Sequence, residues 1–119
     1  MDSRTLGRWG EEQAARYLRR HGYRILGMNY RCRMGEIDII AQKRAFLVFA
    51  EVKLRKNADF AEAREFVTRA KQERIMTAAS LWLAENETDL QPRFDVIEVY
   101  APDGTETKRP RIEHTENAF

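Results

Sequence analysis

Two stretches of this chain carry ionisable side chains where the hydropathy pattern asks for buried strand. They are Gly35-Glu36-Ile37-Asp38-Ile39-Ile40 and Phe49-Ala50-Glu51-Val52-Lys53. A strand alternates its side chains with a period of two. Glu36, Asp38 and Ile40 should then share one face and Ile37 and Ile39 the other, while Glu51 and Lys53 follow Leu47 and Phe49. Burying an unpaired charge costs several kcal/mol unless a partner or a metal neutralises it, so Asp38, Glu51 and Lys53 need an explanation. One is a buried ion pair, with Lys53 held by Asp38 or Glu51. The other is a divalent cation: strands joined as a hairpin lie ~4.8 Å apart, so Asp38 and Glu51 could face each other and share it. Hard oxygen donors favour Mg²⁺ or Mn²⁺, bound through one or two carboxylates, waters and a substrate phosphate. Glu11, aimed inward from the first helix, could supply a third carboxylate, and the main-chain carbonyl of Val52 a neutral oxygen. Lys53 would then orient or help deprotonate a water, or stabilise charge on the phosphate.

The elements that must position these groups are legible from the pattern. Ser3 and Thr5 are candidate caps for a first helix over about Leu6–His21, stopped by His21-Gly22. Gly7, Gly10, Glu11, Ala14 and Leu18 fall on one of its faces, with Glu12, Arg16 and Arg19 on another. Strands are expected over Tyr23–Asn29, Gly35–Ala41 and Ala45–Arg55, with a turn at Gln42–Arg44. Asp59 and Glu62 have capping-box spacing, so a second helix should begin there or near Ala63 and run to about Glu85, burying a stripe of Phe66, Val67, Ala70, Ile75, Ala78, Leu81 and Trp82. A strand over Arg93–Tyr100, a turn at Pro102-Asp103-Gly104 and a short strand near Arg111–His114 complete the order α-β-β-β-α-β. That order fits an α/β sandwich around a central mixed sheet.

Composition bounds the rest. The chain has 119 residues, 43% hydrophobic and 34% charged, with six Gly and three Pro. This is one domain's worth, 1–119, and excludes low-complexity disorder. The longest apolar run, Ala45–Ala50, is far short of the ~18 residues of a membrane span. The N-terminus lacks a signal-peptide pattern, and the lone Cys32 suits a reducing compartment, so a cytoplasmic protein with no membrane partner is expected. Net charge is only +2, but residues 1–33 carry eight arginines against Asp2, Glu11 and Glu12, whereas residues 87–119 carry eight acids against four bases. A basic end suits a nucleic acid through phosphate contacts, and equally a solvated helix face. Arg31, Arg33, Arg55 and Lys71 are the candidate contacts. Arg55 has strand-end solvation, and Lys71 a snorkelling side chain, as the alternative reading. His21 and His114, far apart in sequence and with no Cys or His at metal spacing, suit surface or capping roles, and Asp95 an edge position or a pairing with an arginine.

Gly7, Gly10-Glu11, Ala14, Tyr17-Leu18, Gly22-Tyr23, Asn29, Arg31, Gly35-Glu36-Ile37-Asp38, Glu51-Val52-Lys53, Arg55, Arg93-Phe94-Asp95-Val96 and Asn117-Ala118-Phe119 resemble the small bacterial YraN-type proteins, over nearly the whole chain. That family is similar to PD-(D/E)xK nucleases and archaeal Holliday junction resolvases. The resemblance implies a restriction-endonuclease-like three-layer sandwich and a Mg²⁺- or Mn²⁺-dependent phosphodiesterase site. Glu11, Asp38 and Glu51 would be metal ligands and Lys53 the catalytic lysine. The motif's proline is replaced by Ile37, and Gln72 is followed four residues later by Met76 where RecB-like relatives carry Tyr. The implied function is a divalent-metal-dependent endonuclease acting on structured nucleic acid, DNA rather than RNA. The alternative is a non-catalytic nucleic-acid-binding module on the same fold. Cutting both strands from one small site would imply a homodimer.

Overall fold

The computed structural model describes residues 2–56 and 67–119. Its elements are α1 (Ser3–Arg20), β1 (Arg24–Cys32), β2 (Gly35–Lys43), β3 (Phe46–Arg55), α2 (Arg69–Glu85), β4 (Gln91–Tyr100) and β5 (Arg111–Thr115), with a 3₁₀ turn at Gly104–Glu106 before β5. The five strands form one sheet in the order β1-β2-β3-β4-β5. All neighbours are antiparallel except β3 and β4, which run parallel because α2 carries the chain from one to the other. A parallel pair needs such a crossover, whereas β1–β2–β3 close through tight turns. The α/β three-layer sandwich and the α-β-β-β-α-β core order expected from the sequence are both present.

Each helix covers one sheet face. Ala14, Ala15 and Leu18 of α1 pack with Ile39, Ala41, Val48, Ala50, Ile97 and Val99, and Val52 and Leu54 join them. Val67, Ile75, Ala78 and Ala79 pack with Ile40, Leu47 and Phe49 on the opposite face, where Trp82 and Phe94 complete the layer. The alternation of β3 is therefore strict: Leu47 and Phe49 look towards α2, and Val48, Ala50 and Val52 towards α1. Two glycines set how closely the helices sit. A Cβ on Gly10 would stand 2.9 Å from the Leu54 side chain, and one on Gly35 would stand 2.9 Å from the main-chain oxygen of Arg74 on α2.

Several boundaries differ from the sequence expectation. Asp2, not Ser3 or Thr5, caps α1, accepting from the Thr5 N–H at 2.8 Å. The predicted start of the second helix at Asp59 or Ala63, and its Phe66, lie outside the described residues; the described helix begins at Arg69, after Thr68 accepts from the Lys71 N–H. Ala70 and Leu81, expected in the buried stripe, are exposed. β1 extends beyond Asn29 to Cys32 because Tyr30 and Arg31 keep their pairing with Ile37 and Glu36.

Asp95 is fully buried on β4. Arg93 grips both of its oxygens at 2.9 and 2.8 Å, His114 Nε2 lies 2.6 Å away, and the Asn117 N–H donates at 3.0 Å. Pairing with an arginine thus explains Asp95. His114 departs from the surface or capping expectation, because β5 folds it over this carboxylate; His21 does cap α1, through the Tyr17 carbonyl. Burial works to raise the Asp95 pKa, but the hydrogen bonds from His114, Arg93 and Asn117 outweigh it and hold the carboxyl below its ordinary value.

Candidate active site

The β2–β3 ladder ends at Ile39↔Ala50. The next opposed positions in that register are Asp38 and Glu51, at the fork where the two strands part. Both are buried, 9% and 5% exposed. At the fork a backbone pairing is replaced by a side chain: the Val52 N–H donates to Asp38 Oδ2 at 2.8 Å. On the other side of Asp38, the β1–β2 pairs Met28↔Ile39 and Tyr30↔Ile37 bracket Asn29 opposite Asp38. Asn29 has φ +54°, a left-handed conformation that an asparagine adopts more readily than most side chains. The expected face assignment fails at this point. Ile37 packs in the α2-side layer while Ile39 belongs to the α1 side, so the period of two is broken across Asp38.

The break leaves Asp38 under the influence of groups from both helices. Burial pushes its carboxyl up to about 7; the Glu51 charge adds to this, the Val52 N–H opposes it, Glu11 on α1 raises it further and Lys71 on α2 offsets part. Lys71 Nζ lies 2.8 Å from Glu51 Oε1. Desolvation disfavours that ammonium, but the hydrogen bond and charge of Glu51, with Asp38 and Glu36 behind it, raise its pKa above the ordinary lysine value.

The structure therefore brings Asp38, Glu51, Val52 and Lys71 to one fork, while Glu11 on α1 acts on Asp38 through its charge. Lys53 is half-buried two residues beyond Glu51, on the α2-facing side of β3, and makes no ion pair among the described residues. The ammonium that meets Glu51 comes from α2, where sequence spacing offered Lys71 only a phosphate contact or a place at the edge of an apolar stripe. Arg55 is buried and donates through Nε to Glu98 at 2.5 Å; the strand end is not solvated there. Arg31 is exposed and paired with Glu36 at 3.2 Å. Arg33 lines a cleft with Lys71 and Arg74 beside Glu36. Asn29 carried a signal that could have been used, since an asparagine inside a strand pattern marks a position of unusual backbone.

Among the described residues no group of three or more Asp, Glu, His or Cys side chains is placed to hold a metal ion, so Glu11 does not join Asp38 and Glu51 in a three-carboxylate set. The Asp38–Glu51 pair nevertheless has the donors of an open site for a hard cation, since Mg²⁺ commonly binds through one or two carboxylates and takes its remaining oxygens from water and phosphate. The raised pKa of Asp38 has the same origin: two buried carboxylates share too little positive charge, and a divalent cation would supply it.

No helix among the described residues is long and apolar enough to cross a membrane. The chain is 47% identical over 116 residues to a UPF0102 protein of Syntrophotalea carbinolica, covering 97% of this chain and 91% of that one. It is 44% identical to a UPF0102 protein of Nocardia farcinica, covering 99% of this chain and 91% of the relative. A UPF0102 protein of Flavobacterium psychrophilum is 42% identical over 114 residues, with 96% and 92% covered. The family model described as "Uncharacterised protein family UPF0102" matches residues 10–99, a span that runs from the glycine before Glu11 through the whole fork to Arg93 and Asp95, and the chain belongs to that family.

Proposed function

We propose that this protein is a divalent-metal-dependent endonuclease that hydrolyses phosphodiester bonds in structured DNA. The observation that carries the reading is the pairing of two buried carboxylates, Asp38 and Glu51, at the strand fork, with Glu11 acting on Asp38 from one helix and Lys71 bound to Glu51 from the other. Asp38, Glu51 and the Val52 carbonyl would hold the cation. When bound, Mg²⁺ or Mn²⁺ would polarise the scissile phosphate and supply a nucleophilic water.

The chain's own groups do the positioning. The Val52 N–H orients the Asp38 carboxylate, and the ion pair with Lys71 holds Glu51 towards α2. With Glu51 held by a cation, Lys71 would be free to place its ammonium at a phosphate oxygen, and Lys53 offers a second ammonium on the same side of β3. Either stabilises charge growing on the phosphate during in-line attack. Cutting two strands would require two copies of the chain.

Calorimetry with Mn²⁺ and cleavage of branched and linear DNA test the reading. Wild type should bind the ion and nick or cut, and Asp38→Ala and Glu51→Ala should lose both properties. Cleavage that survives Glu51→Ala would point to a contaminant. The second reading, a non-catalytic nucleic-acid-binding module, is favoured by one observation: Lys71 already neutralises Glu51 without a metal. DNA binding without Mn²⁺ binding would select it.

A further inference from the structure

The arginines of α1 form a surface that the fork does not use. Arg8, Arg16 and Arg19, with Arg31 of β1, line an open cleft of about 650 Å³ between α1 and β1 that also contains Glu11 and Glu12. Arg8, Arg16 and Arg19 are exposed and make no ion pair among the described residues, although Glu12 stands four positions from both Arg8 and Arg16. Elsewhere the guanidinium groups of Arg55, Arg93 and Arg111 are engaged by Glu98, Asp95 and Glu113. With Arg31 of β1, these three give the cleft four guanidinium groups against the two carboxylates of Glu11 and Glu12, a net positive lining.

From this we infer that the α1–β1 cleft is the track for the nucleic-acid backbone, seating the phosphates that flank the bond held at the fork. The inference rests on the proposed nuclease reading for its choice of partner and names where that partner lies. Three features favour a phosphodiester strand over an acidic polypeptide. Glu11 lines the cleft and its charge acts on Asp38, so a strand lying in the cleft runs towards the fork. Guanidinium forks match phosphate oxygens in bidentate fashion. Arg8 and Arg16 are separated by ~12 Å of helix rise at 1.5 Å per residue, which spreads the guanidinium groups along a line, as the phosphates of a backbone are spread.

The test is fluorescence anisotropy with a labelled 20-base-pair duplex, Ca²⁺ replacing Mg²⁺ so that binding is read without turnover. Three phosphate contacts contribute a salt slope of about 0.9 each. An Arg8→Ala/Arg16→Ala/Arg19→Ala variant should therefore bind on the order of a hundredfold more weakly at 0.1 M salt, with a slope smaller by about 2 to 3. Replacing the same three residues with Lys should restore most of the slope. Unchanged affinity and slope in the alanine variant, with its circular dichroism and melting intact, would overturn the inference. So would displacement of the duplex by polyglutamate at equal charge concentration, because the cleft would then read charge and not phosphate. Asp38→Asn keeps the two readings apart through cleavage alone: with Mg²⁺ it should cut nothing, whatever its affinity for the duplex. If Asp38→Asn cuts as well as wild type, the nuclease site is wrong while the cleft still stands or falls on its own salt slope.

Discussion

Replacing Asp38 with Asn should make the metal-free protein more stable, and more so at alkaline pH. The folded carboxyl titrates at about 7, well above its ordinary value of 3.8. Between those two values the native state retains a proton that the unfolded chain has released. Raising pH through that window therefore lowers stability, and above 7 the penalty is fully present. From pH 5 to pH 7 is two pH units at about 1.4 kcal/mol each, so the advantage of Asp38→Asn should be about 3 kcal/mol larger at pH 8 than at pH 5. The asparagine oxygen can still accept from the Val52 N–H, so that hydrogen bond is not lost. For a chain of this length the difference corresponds to a melting shift of about 10 °C. Thermal and urea unfolding at the two pH values measure it. Mn²⁺ at a hundred times its dissociation constant should add about 2.7 kcal/mol to wild type and nothing to the variant. A variant less stable than wild type at both pH values, or one stabilised equally by Mn²⁺, would refute the claim that like charge and burial strain this carboxylate.

Other substitutions probe the surrounding parts. Lys71→Met removes the ammonium that competes with a metal for Glu51, so Mn²⁺ affinity by calorimetry should rise about fivefold, the equivalent of about 1 kcal/mol for an ion pair with one partner buried and the other partly exposed. Asp95→Ala leaves Arg93 and His114 facing an emptied buried position and should cost about 3–5 kcal/mol in urea unfolding. Because the Asp95 carboxyl is held below its ordinary value, its stabilisation is present at neutral pH and is lost as pH falls through about 4 and below. An acid-unfolding curve of Asp95→Asn should be correspondingly flatter than that of wild type. Gly35→Ala places a methyl 2.9 Å from the Arg74 main-chain oxygen, so α2 must shift. Stability should fall by about 1–3 kcal/mol and Mn²⁺ affinity should change with the displaced Lys71; an unaltered melting temperature would show that the close approach is relaxed in solution.

The local rules were sufficient for the element order, the two layers of core and the suspicion attached to Asp38 and Glu51. Period-two alternation along Leu47–Val52 and the helical spacing of Ala14, Leu18, Ile75 and Ala78 are properties of neighbouring residues, readable without knowing what lies opposite. Carboxylates inside such a pattern stand out for the same reason, because burial is expected there whatever the topology. Three features depended on residues distant in sequence. Strand pairing decided that the ladder ends at Ile39↔Ala50 and that Asn29, in a left-handed conformation, stands opposite Asp38. The packing of α2 on the sheet brought Lys71 to Glu51 across 20 positions of chain, while Lys53, the nearer residue in sequence, made no ion pair among the described residues. β5 folded His114 onto Asp95 and turned an apparent surface histidine into a buried partner. Which charge meets which across the fold is set by Coulomb energies and close packing between segments, and these exist only once the layers have closed on one another.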